Sequence, residues 1–597
     1  MNKQAGAQDR IIADYVFTNA RVYTVDPQKP WAQAVAVRAD RIVCVGDEQT
    51  VSAFIGEATR TIDVDQRLIL PGFVESHWHF STTAFAFQAF VNFQEPQQVL
   101  DALRDYVDTH PDDKAISGMG WVQPLMPAEM LRRETLDAIC PDRPVCLLST
   151  DFHTMWVNSK ALEVAQIDRN TPVVEEGASW FEMDSVTGEP TGLVIDGAAY
   201  TLLMRRIADA GYFPKGIDLY LKSFAVWQDK LAAAGITTVF DAAFLDPSGD
   251  QSMLFETLQQ MEREDNLKLR VVGSYAALEA TADPIATLLD YRSRYNSGLV
   301  KAQVLKLFMD GTEVNHTAYL LEPYADMPET RGDTVIAVED FNRLVVEADR
   351  HGIDVMVHCV GDAAVRLALD GFEIVNAVNP KRDRRHVITH AFLTDPDDIP
   401  RFRRLGVLAN TQLQWGVVDA YSEKIRGHYG HERWSRMYKF RTFIDQGVMV
   451  SIGMDGLACQ CRCQHRPVEH IESGHTRQLA GEPDAAVFPD GNERLSIPQL
   501  IAAYTINGAY QLRLEHEIGS ITAGKRADLI VLENDLFEVE TYDIGRVNVG
   551  LTMMNGRLTH GDGTFNAHAE SATPLQQKPF ARITSRAGLA ASAPCEC

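Results

Sequence analysis

Eight short apolar runs, separated by segments of helical periodicity, constrain the fold of this 597-residue chain more than any other feature. Near-continuous apolar runs are typical of strands that are buried on both faces of a parallel sheet. The segments between them, such as "VEDFNRLVVEADRH", repeat apolar residues every three or four positions, as amphipathic helices do. Eight such alternations predict an α/β fold, a (β/α)8 TIM barrel. The runs span 67–79, 235–244, 268–278, 304–312, 352–361, 384–392, 406–415 and 447–456.

Both ends of the chain follow a different pattern. Residues 1–66 and 517–566 contain short segments in which apolar and polar residues alternate, as in "DYVFTNARVYTV" and "RADLIVLE". We expect the two ends to pair into one small β-sandwich domain. The final 567–597, rich in Ala, Ser and Pro, is expected to be a mobile tail.

The barrel itself is expected in two pieces. The first strand region is 67–94, the remainder is 216–516, and Ser496 is the expected N-cap of the closing helix. A gap of about 155 residues between the first two runs far exceeds an ordinary connection. Residues 95–215 are therefore predicted to form an insertion domain. It follows a strand on the side where such barrels carry their sites, which favours a lid or substrate-pocket role.

Composition excludes several partners. The net charge of −26 would repel nucleic acid and anionic membranes. No apolar stretch reaches the roughly 18 residues of a membrane span, and the N-terminus lacks the pattern of a signal peptide. Nine cysteines, an odd and ordinary number, favour a reducing compartment. We expect a cytoplasmic protein that acts on a small molecule, with homo-oligomerisation left open.

Ligand-type residues lie at or near the ends of five of the runs, in the order H-x-H, K, H, H, D. Taken alone, each has an ordinary explanation. The H-x-H pair could be incidental, and a single buried histidine could be a hydrogen-bonded core residue. The lysine could extend its charged end to the surface, and the aspartate could be a cap or turn residue. Together they are hard to explain as packing, because buried charge without partners is costly. In a barrel these strand ends converge on one pocket. The six residues are His77, His79, Lys306, His358, His390 and Asp455.

Such a set suits a divalent metal. Imidazole and carboxylate groups are good ligands for Zn²⁺ and similar ions. Lys306 is unusual because an ammonium repels a metal, but a buried lysine can lose its proton. Its amine can then add carbon dioxide to give a carbamate that bridges two ions. Metal would activate the attacking water, and Asp455 would take the proton and pass it to the leaving group.

Several stretches resemble one known family. "LPGFVESHWH" looks like the first-strand signature of the amidohydrolase superfamily, and "GSITAGKRADLIVLE" looks like its closing β-domain signature. Further stretches resemble the amidohydrolase 3 group, which includes N-substituted formamide deformylase-like proteins: "PDRPVCLLSTDFHTMWVNSKAL", "LKLFMDGT", "HCVGDAAV" and "YTINGAY". The resemblance covers roughly residues 14–565, with the motifs in order.

The resemblance implies roles for individual residues. His77 and His79 match the first-strand ligands, and Lys306 matches the carboxylated bridge. His358 and His390 match ligands of a second metal, while Asp455 matches the eighth-strand ligand and general base. His153 and Trp156 match positions that shape the substrate pocket; ordinary packing of the insertion domain explains them equally well.

The sequence departs from the family pattern at three places. Glu75 stands where the superfamily usually has Asp, and Trp78 replaces a small or aliphatic residue. After Asp455 the chain continues "GLACQCRCQH", not Trp-Pro, which leaves the substrate in doubt. Cys459, Cys461 and Cys463 there could bind a metal, form a redox pair or be small side chains of a rim loop. Their C-x-C-x-C pattern is not a standard zinc spacing.

The sequence therefore predicts a metal-dependent hydrolase that cleaves an amide-type carbon–nitrogen bond, not a peptide bond, with one or two zinc ions. Two alternatives stay open: the same site used for decarboxylation, isomerisation or hydration, or a non-catalytic binding or regulatory protein. Strand alternation also predicts that Trp78 faces away from its neighbours His77 and His79, into the layer between strand and helices.

Overall fold

The computed structural model describes residues 11–81, 95–174, 179–213, 216–244, 249–278, 283–456, 465–489 and 491–565. The expected tail at 567–597 and the three cysteines Cys459, Cys461 and Cys463 lie outside the described residues. Within the described ranges, no helix is long and apolar enough to cross a membrane.

Eight parallel strands form the predicted barrel. Their order around the sheet follows their order in the chain, and we number them barrel strands 1 to 8. Strands 8 and 1 meet through Ser76 Oγ, which donates to Ile452 O at 2.7 Å, and Asp455 N, which donates to His77 O at 2.8 Å. The strands are Phe73–Trp78, Ile236–Asp241, Arg270–Ala276, Val300–Phe308, Asp354–Cys359, Val387–His390, Leu408–Thr411 and Val450–Ile452.

Amphipathic helices cover the barrel. In Val338–Arg350, for example, the buried residues Phe341, Leu344, Val345 and Ala348 recur at helical spacing and face the strands. The covering helices are Ile217–Ala233, Ser252–Arg263, Pro284–Arg294, Val338–Arg350, Asp362–Val378, Ile399–Leu405, Phe440–Asp445, Pro467–Thr476, Ile497–Ala503 and Ile506–Gln511. Two more, Ala420–Tyr429 and His431–Ser435, lie in the connection between strands 7 and 8.

The closing helix is capped as predicted but is divided. Ser496 accepts a hydrogen bond from Gln499 N, and the Gln499 side chain bonds back to Ser496 N in a capping box. The single predicted helix is two helices, Ile497–Ala503 and Ile506–Gln511, interrupted at Tyr504 and Thr505.

The two ends of the chain form the predicted sandwich. Its four-stranded sheet comes from the N-terminal end alone, and its six-stranded sheet joins both ends. Apolar side chains between the sheets, among them Phe17, Val35, Leu529 and Leu551, form their own core. The strands are Tyr15–Thr18, Arg21–Tyr23, Trp31–Ala32, Ala34–Arg38, Arg41–Gly46, Arg60–Asp63, Leu68–Pro71, Leu529–Leu532, Val549–Met554 and Arg557–His560.

The first apolar run, 67–79, differs from its prediction as one strand. Leu68–Pro71 pairs with Leu529–Val531 in the sandwich, and the barrel begins only at Phe73. The boundary expected at residue 67 therefore lies at Gly72. A Cβ on Gly72 would lie 2.4 Å from Thr237 Cγ2, so only glycine lets the chain turn from one sheet into the other there.

The insertion after barrel strand 1 has its own sheet and core. Five strands lie in the order Trp180–Met183, Pro190–Ile195, Thr154–Val157, Val145–Ser149 and Ile116–Trp121. Helices Pro96–Thr109, Arg133–Asp137, Ser159–Ala165 and Gly197–Asp209 belong to the same segment. The insertion contacts the barrel at His153. Asn315, in the connection after barrel strand 4, donates from Nδ2 to the carbonyl of His153 at 3.2 Å.

Candidate metal centre

The strand ends bring the predicted histidines together. His77 is in barrel strand 1 and His79 directly follows it, while His358 is the last but one residue of strand 5 and His390 ends strand 6. The ring centroid of His77 lies 5.3 Å from that of His79 and 5.1 Å from that of His390. The ring centroids of His358 and His390 lie 4.4 Å apart. All four imidazoles are buried. His390, with φ 70°, occupies the left-handed region that non-glycine residues adopt only when the surrounding structure holds them.

Asp455 faces the first two histidines. Its Oδ1 lies 3.2 Å from His77 Nε2 and 3.1 Å from His79 Nε2. His77 Nδ1 lies 2.8 Å from Thr389 Oγ1, and His79 Nδ1 lies 2.9 Å from the carbonyl of Ala243. A neutral imidazole that donates from Nδ1 carries its lone pair on Nε2. With both rings neutral, the two Nε2 atoms present lone pairs to a carboxylate oxygen. A positive charge between them, either a shared proton or a bound cation, stabilises this arrangement.

The other two histidines are oriented in the same manner. His358 Nε2 lies 3.1 Å from the carbonyl of Gly311, which leaves Nδ1 as the lone-pair atom. His390 Nδ1 lies 2.9 Å from Gln412 Oε1, which leaves Nε2. Burial lowers the pKa of both imidazoles well below the ordinary value, so both are neutral at pH 7. Neutral, pre-oriented imidazoles are the form that binds a metal.

Lys306, in barrel strand 4, lies among these groups. The side chain is 1% exposed, and its Nζ lies 4.9 Å from the centre of the Phe308 ring. Burial lowers the pKa of Lys306 to about 8, which makes a neutral amine accessible near physiological pH. The charge of Lys306 also lowers the pKa of His77, His358 and His390.

The charge of Asp455 is held by its surroundings. Burial would raise the pKa of this carboxyl, but His77, His79 and His390 hold it well below its usual range. Asp455 also has φ 59°, in the left-handed region. The backbone of the residue is thus fixed in a conformation that aims the carboxylate at the histidines.

Glu75, the departure from the usual aspartate, has a supporting position. Its Oε1 accepts hydrogen bonds from His77 N and Met454 N, both at 2.9 Å, and so links strand 1 to the segment before Asp455. Burial raises the pKa of Glu75 well above its ordinary value. The side chain thus positions residues of the centre through their backbone.

The two predicted pocket residues of the insertion lie in different places. His153 reaches the barrel mouth, where its ring centroid lies 5.6 Å from that of His358, and its Nδ1 contacts Asp196. Trp156 is fully buried in the core of the insertion, and its indole N–H donates to Arg132 O at 3.1 Å. Its ring packs 6.0 Å from that of Trp121. The structure thus favours packing for Trp156, because strand alternation turns it to the face that bears this core.

Three carboxylates near the centre were missed by sequence reasoning. Asp196 orients His153, and its signal was its position directly after the strand "PTGLVI". Asp310 accepts backbone hydrogen bonds from Val360, Gly361 and Tyr319 at 2.8–2.9 Å. Glu313 is fully buried, and neither carboxylate oxygen has a hydrogen-bond partner among the described residues. Asp310 and Glu313 both follow strand 4 in "DGTE", which could have marked them as residues of the barrel mouth.

The donor set fits a divalent metal of the zinc class. His77 Nε2 is buried and makes no hydrogen bond of normal geometry to the described residues, although Asp455 Oδ1 is 3.2 Å away. Two ligands at about 2.0–2.1 Å from a tetrahedral zinc ion lie about 3.3 Å apart. The nitrogen–oxygen separations of 3.1 and 3.2 Å in this cluster match that value. His77, His79 and Asp455 could therefore hold an ion without rearrangement.

The comparisons with known proteins agree with the fold. The chain is 27% identical to the N-substituted formamide deformylase of Arthrobacter pascens over 92% of its length and 98% of that protein. It is also 27% identical to the protein LONG AFTER FAR-RED 3 of Arabidopsis thaliana, over 92% of this chain and 91% of that one. An uncharacterised metal-dependent hydrolase of Pyrococcus horikoshii OT3 has the same fold, with a TM-score of 0.68 at 21% identity over 88% of this chain and 99% of that one.

A family model decides the assignment. It is described as "Amidohydrolase family" and matches residues 60–560, which include the barrel, the insertion and all six predicted ligand residues. The chain therefore belongs to the amidohydrolase family of metal-dependent hydrolases.

Proposed function

We propose that this hydrolase cleaves an amide-type carbon–nitrogen bond, other than a peptide bond, in a small molecule. The observation that carries the proposal is the buried cluster in which Asp455 Oδ1 lies within 3.2 Å of the Nε2 atoms of His77 and His79. The relative from Arthrobacter pascens, named for N-substituted formamides, supports an amide with a small acyl group as the substrate class.

The residues fit one or two divalent ions. His77, His79 and Asp455 would hold one, and His358 and His390 would hold a second through the lone pairs identified above. Lys306, as a carbamate, would lie between them. When bound, zinc supplies polarisation of the substrate carbonyl and acidification of water.

Asp455 moves the proton in this proposal. Its carboxylate is ionised, because its neighbouring histidines hold its pKa well below the usual range. It would accept a proton from the attacking water and deliver it to the nitrogen that leaves, which becomes an amine. The other product is a carboxylate.

His153 would bind the substrate opposite Asp455. Burial would lower its pKa, but Asp196 raises it to about 9, so the imidazole is cationic at pH 7. Since Nδ1 contacts Asp196, Nε2–H remains as a donor for the substrate oxygen or the leaving nitrogen. The side chain keeps 20% of its surface exposed, which leaves it open to a substrate.

Isotope incorporation tests the reaction class. The zinc-loaded protein is incubated with a panel of N-substituted formamides in water enriched in oxygen-18. We expect formate that carries one solvent oxygen, together with the free amine. Turnover without oxygen-18 in a carboxylate product would favour a decarboxylase or isomerase, and oxygen-18 in a product formed without release of an amine would favour a hydratase. Binding without turnover would favour the non-catalytic alternative.

Replacement of Lys306 tests the bridging role. We expect Lys306→Ala to bind at least one zinc ion per chain fewer than the wild type, because no bridging group remains in the centre, and to lose activity by at least about 100-fold. Metal content is measured by elemental analysis of the purified protein. Lys301→Ala is the matched control, since Lys301 lies at the other end of the same strand and is partly exposed. A Lys306→Ala protein with unchanged metal content would contradict the bridge.

A further inference from the structure

A second cluster of ligand-type residues lies apart from the centre described above. His316 and Asp326 belong to the long connection that follows barrel strand 4, and His428 belongs to helix Ala420–Tyr429 between strands 7 and 8. One potential ligand atom from each lies within 4.8 Å of the other two. The cluster therefore joins two segments of the barrel mouth that are distant in sequence.

The geometry of this cluster matches a tetrahedral ion. Asp326 Oδ2 lies 3.2 Å from His316 Nε2 and 3.5 Å from His428 Nε2. The second distance is longer than a normal N–H···O hydrogen bond, which ends near 3.2 Å. Both distances lie close to the separation of about 3.3 Å between two ligands of tetrahedral zinc.

The orientation of His428 also points to a cation. Its Nδ1 lies 2.9 Å from the carbonyl of Glu313, a pure acceptor, so Nδ1 carries a hydrogen. The side chain is only 3% exposed, and a charged ring would lose its hydration there, which favours the neutral ring. The lone pair on Nε2 then faces the carboxylate of Asp326, and two acceptors face each other.

The stacking of the two imidazole rings argues against protonation of both. The rings of His316 and His428 are stacked with centroids 4.0 Å apart, at 29° to each other. Two protonated rings at that distance would repel each other, so protons cannot replace the ion at both nitrogens. A divalent ion would neutralise Asp326 and accept both lone pairs at once.

We propose that His316, Asp326 and His428 form a second divalent-cation site, of the zinc class, that is separate from the catalytic centre. Asp326 is 39% exposed, so a water molecule completes the coordination from the solvent side. The ion would hold the connection after strand 4 against helix Ala420–Tyr429. The same contact already includes a hydrogen bond from Ala325 N to His428 O, at 2.7 Å.

Zinc counting tests this proposal on the full-length protein. Protein stripped with a chelator is dialysed against Zn²⁺, and bound zinc is measured by elemental analysis. We expect His316→Ala and Asp326→Asn each to bind one equivalent less than the wild type. We also expect the wild type, but neither variant, to gain thermal stability as Zn²⁺ is added beyond the equivalents held by the catalytic centre.

Two controls separate this site from the catalytic centre. His351→Ala removes an exposed histidine that pairs with Glu347 at 3.1 Å but has no second histidine beside it in the described structure, and it should bind as much zinc as the wild type. His77→Ala should still bind the zinc ion whose binding depends on His316. Equal zinc content in the wild type, His316→Ala and Asp326→Asn would overturn the proposal.

Discussion

Trp78, between two candidate ligands, contributes packing instead of chemistry. Its side chain is fully buried, and its ring lies 6.1 Å from that of Trp227 in the helix Ile217–Ala233. The prediction that it faces the layer between strand and helices is thus confirmed. A large ring there fixes the strand that carries His77 and His79 against the helix behind it.

Truncation of this ring tests that role. We expect Trp78→Ala to lower the free energy of unfolding by about 3–5 kcal/mol, because it leaves a cavity between strand and helix. The folded fraction should still bind metal, which denaturation curves and metal analysis of the same sample measure. Trp31→Ala is the control at a site that is 41% exposed, and a smaller loss is expected there. Loss of metal at unchanged stability would mean that the ring acts on the centre directly.

Among the elements, barrel strand 1 lies tightly against Gly453, which directly follows barrel strand 8. A Cβ at that position would lie 2.5 Å from both Cβ and N of His77, and 2.7 Å from Oε1 of Glu75. Contacts under 3.0 Å force the backbone to shift. The absence of a side chain at Gly453 thus lets Asp455, two residues later, reach the histidines of strand 1.

Adding one carbon atom tests this contact. We expect Gly453→Ala to separate strands 8 and 1 and to weaken zinc binding by at least about tenfold, since ligand geometry is lost. Competition with a chelator measures the affinity. Gly427→Ala provides the matched control: its Cβ meets nothing within 4 Å at an exposed position of helix Ala420–Tyr429, so zinc affinity of the catalytic centre should not change and stability should rise by up to about 1 kcal/mol. Equal affinity in both variants would contradict the role of Gly453.

The elements were largely predictable from the sequence, and the exceptions have physical reasons. Continuous apolar runs mark buried parallel strands, and each of the eight runs overlaps one barrel strand. The run 67–79 is apolar throughout, so its hydrophobicity cannot show that Leu68–Pro71 pairs in another sheet. Only Gly72 marks the division. The pattern of strand ends also predicted that the histidines meet. The partners that orient them, such as Thr389 and Gln412, depend on contacts between strands that a linear pattern does not contain.

At the scale of the whole molecule, a buried ion pair joins the barrel to the sandwich. Arg270 in barrel strand 3 donates from Nη1 to Asp528 Oδ2 at 2.6 Å, and the two side chains are 4% and 1% exposed. Asp528 Oδ1 accepts from Asn555 N, and its carbonyl accepts from Gly72 N at the turn between the sheets. The pair thus connects the point where the chain passes from one domain to the other.

Breaking this pair tests the coupling of the two domains. We expect Arg270→Met to lower the free energy of unfolding by about 3–5 kcal/mol, because the charge of Asp528 stays buried without its partner. The double variant Arg270→Met, Asp528→Asn should lose less than the sum of the single variants. Denaturant unfolding of all four proteins measures the difference. Strictly additive losses would show that the two side chains act independently.

The strand Leu68–Pro71 has a consequence for how the protein is made. Its partner Leu529–Leu532 leaves the ribosome only after the whole barrel has been synthesised. At 5–20 residues per second, the roughly 460 intervening residues take about 25–90 seconds. During that interval the six-stranded sheet that covers the N-terminal sheet lacks its three C-terminal strands. The nascent chain therefore carries an unfinished domain at its N-terminal end, where a chaperone would be expected to bind until the last strands arrive.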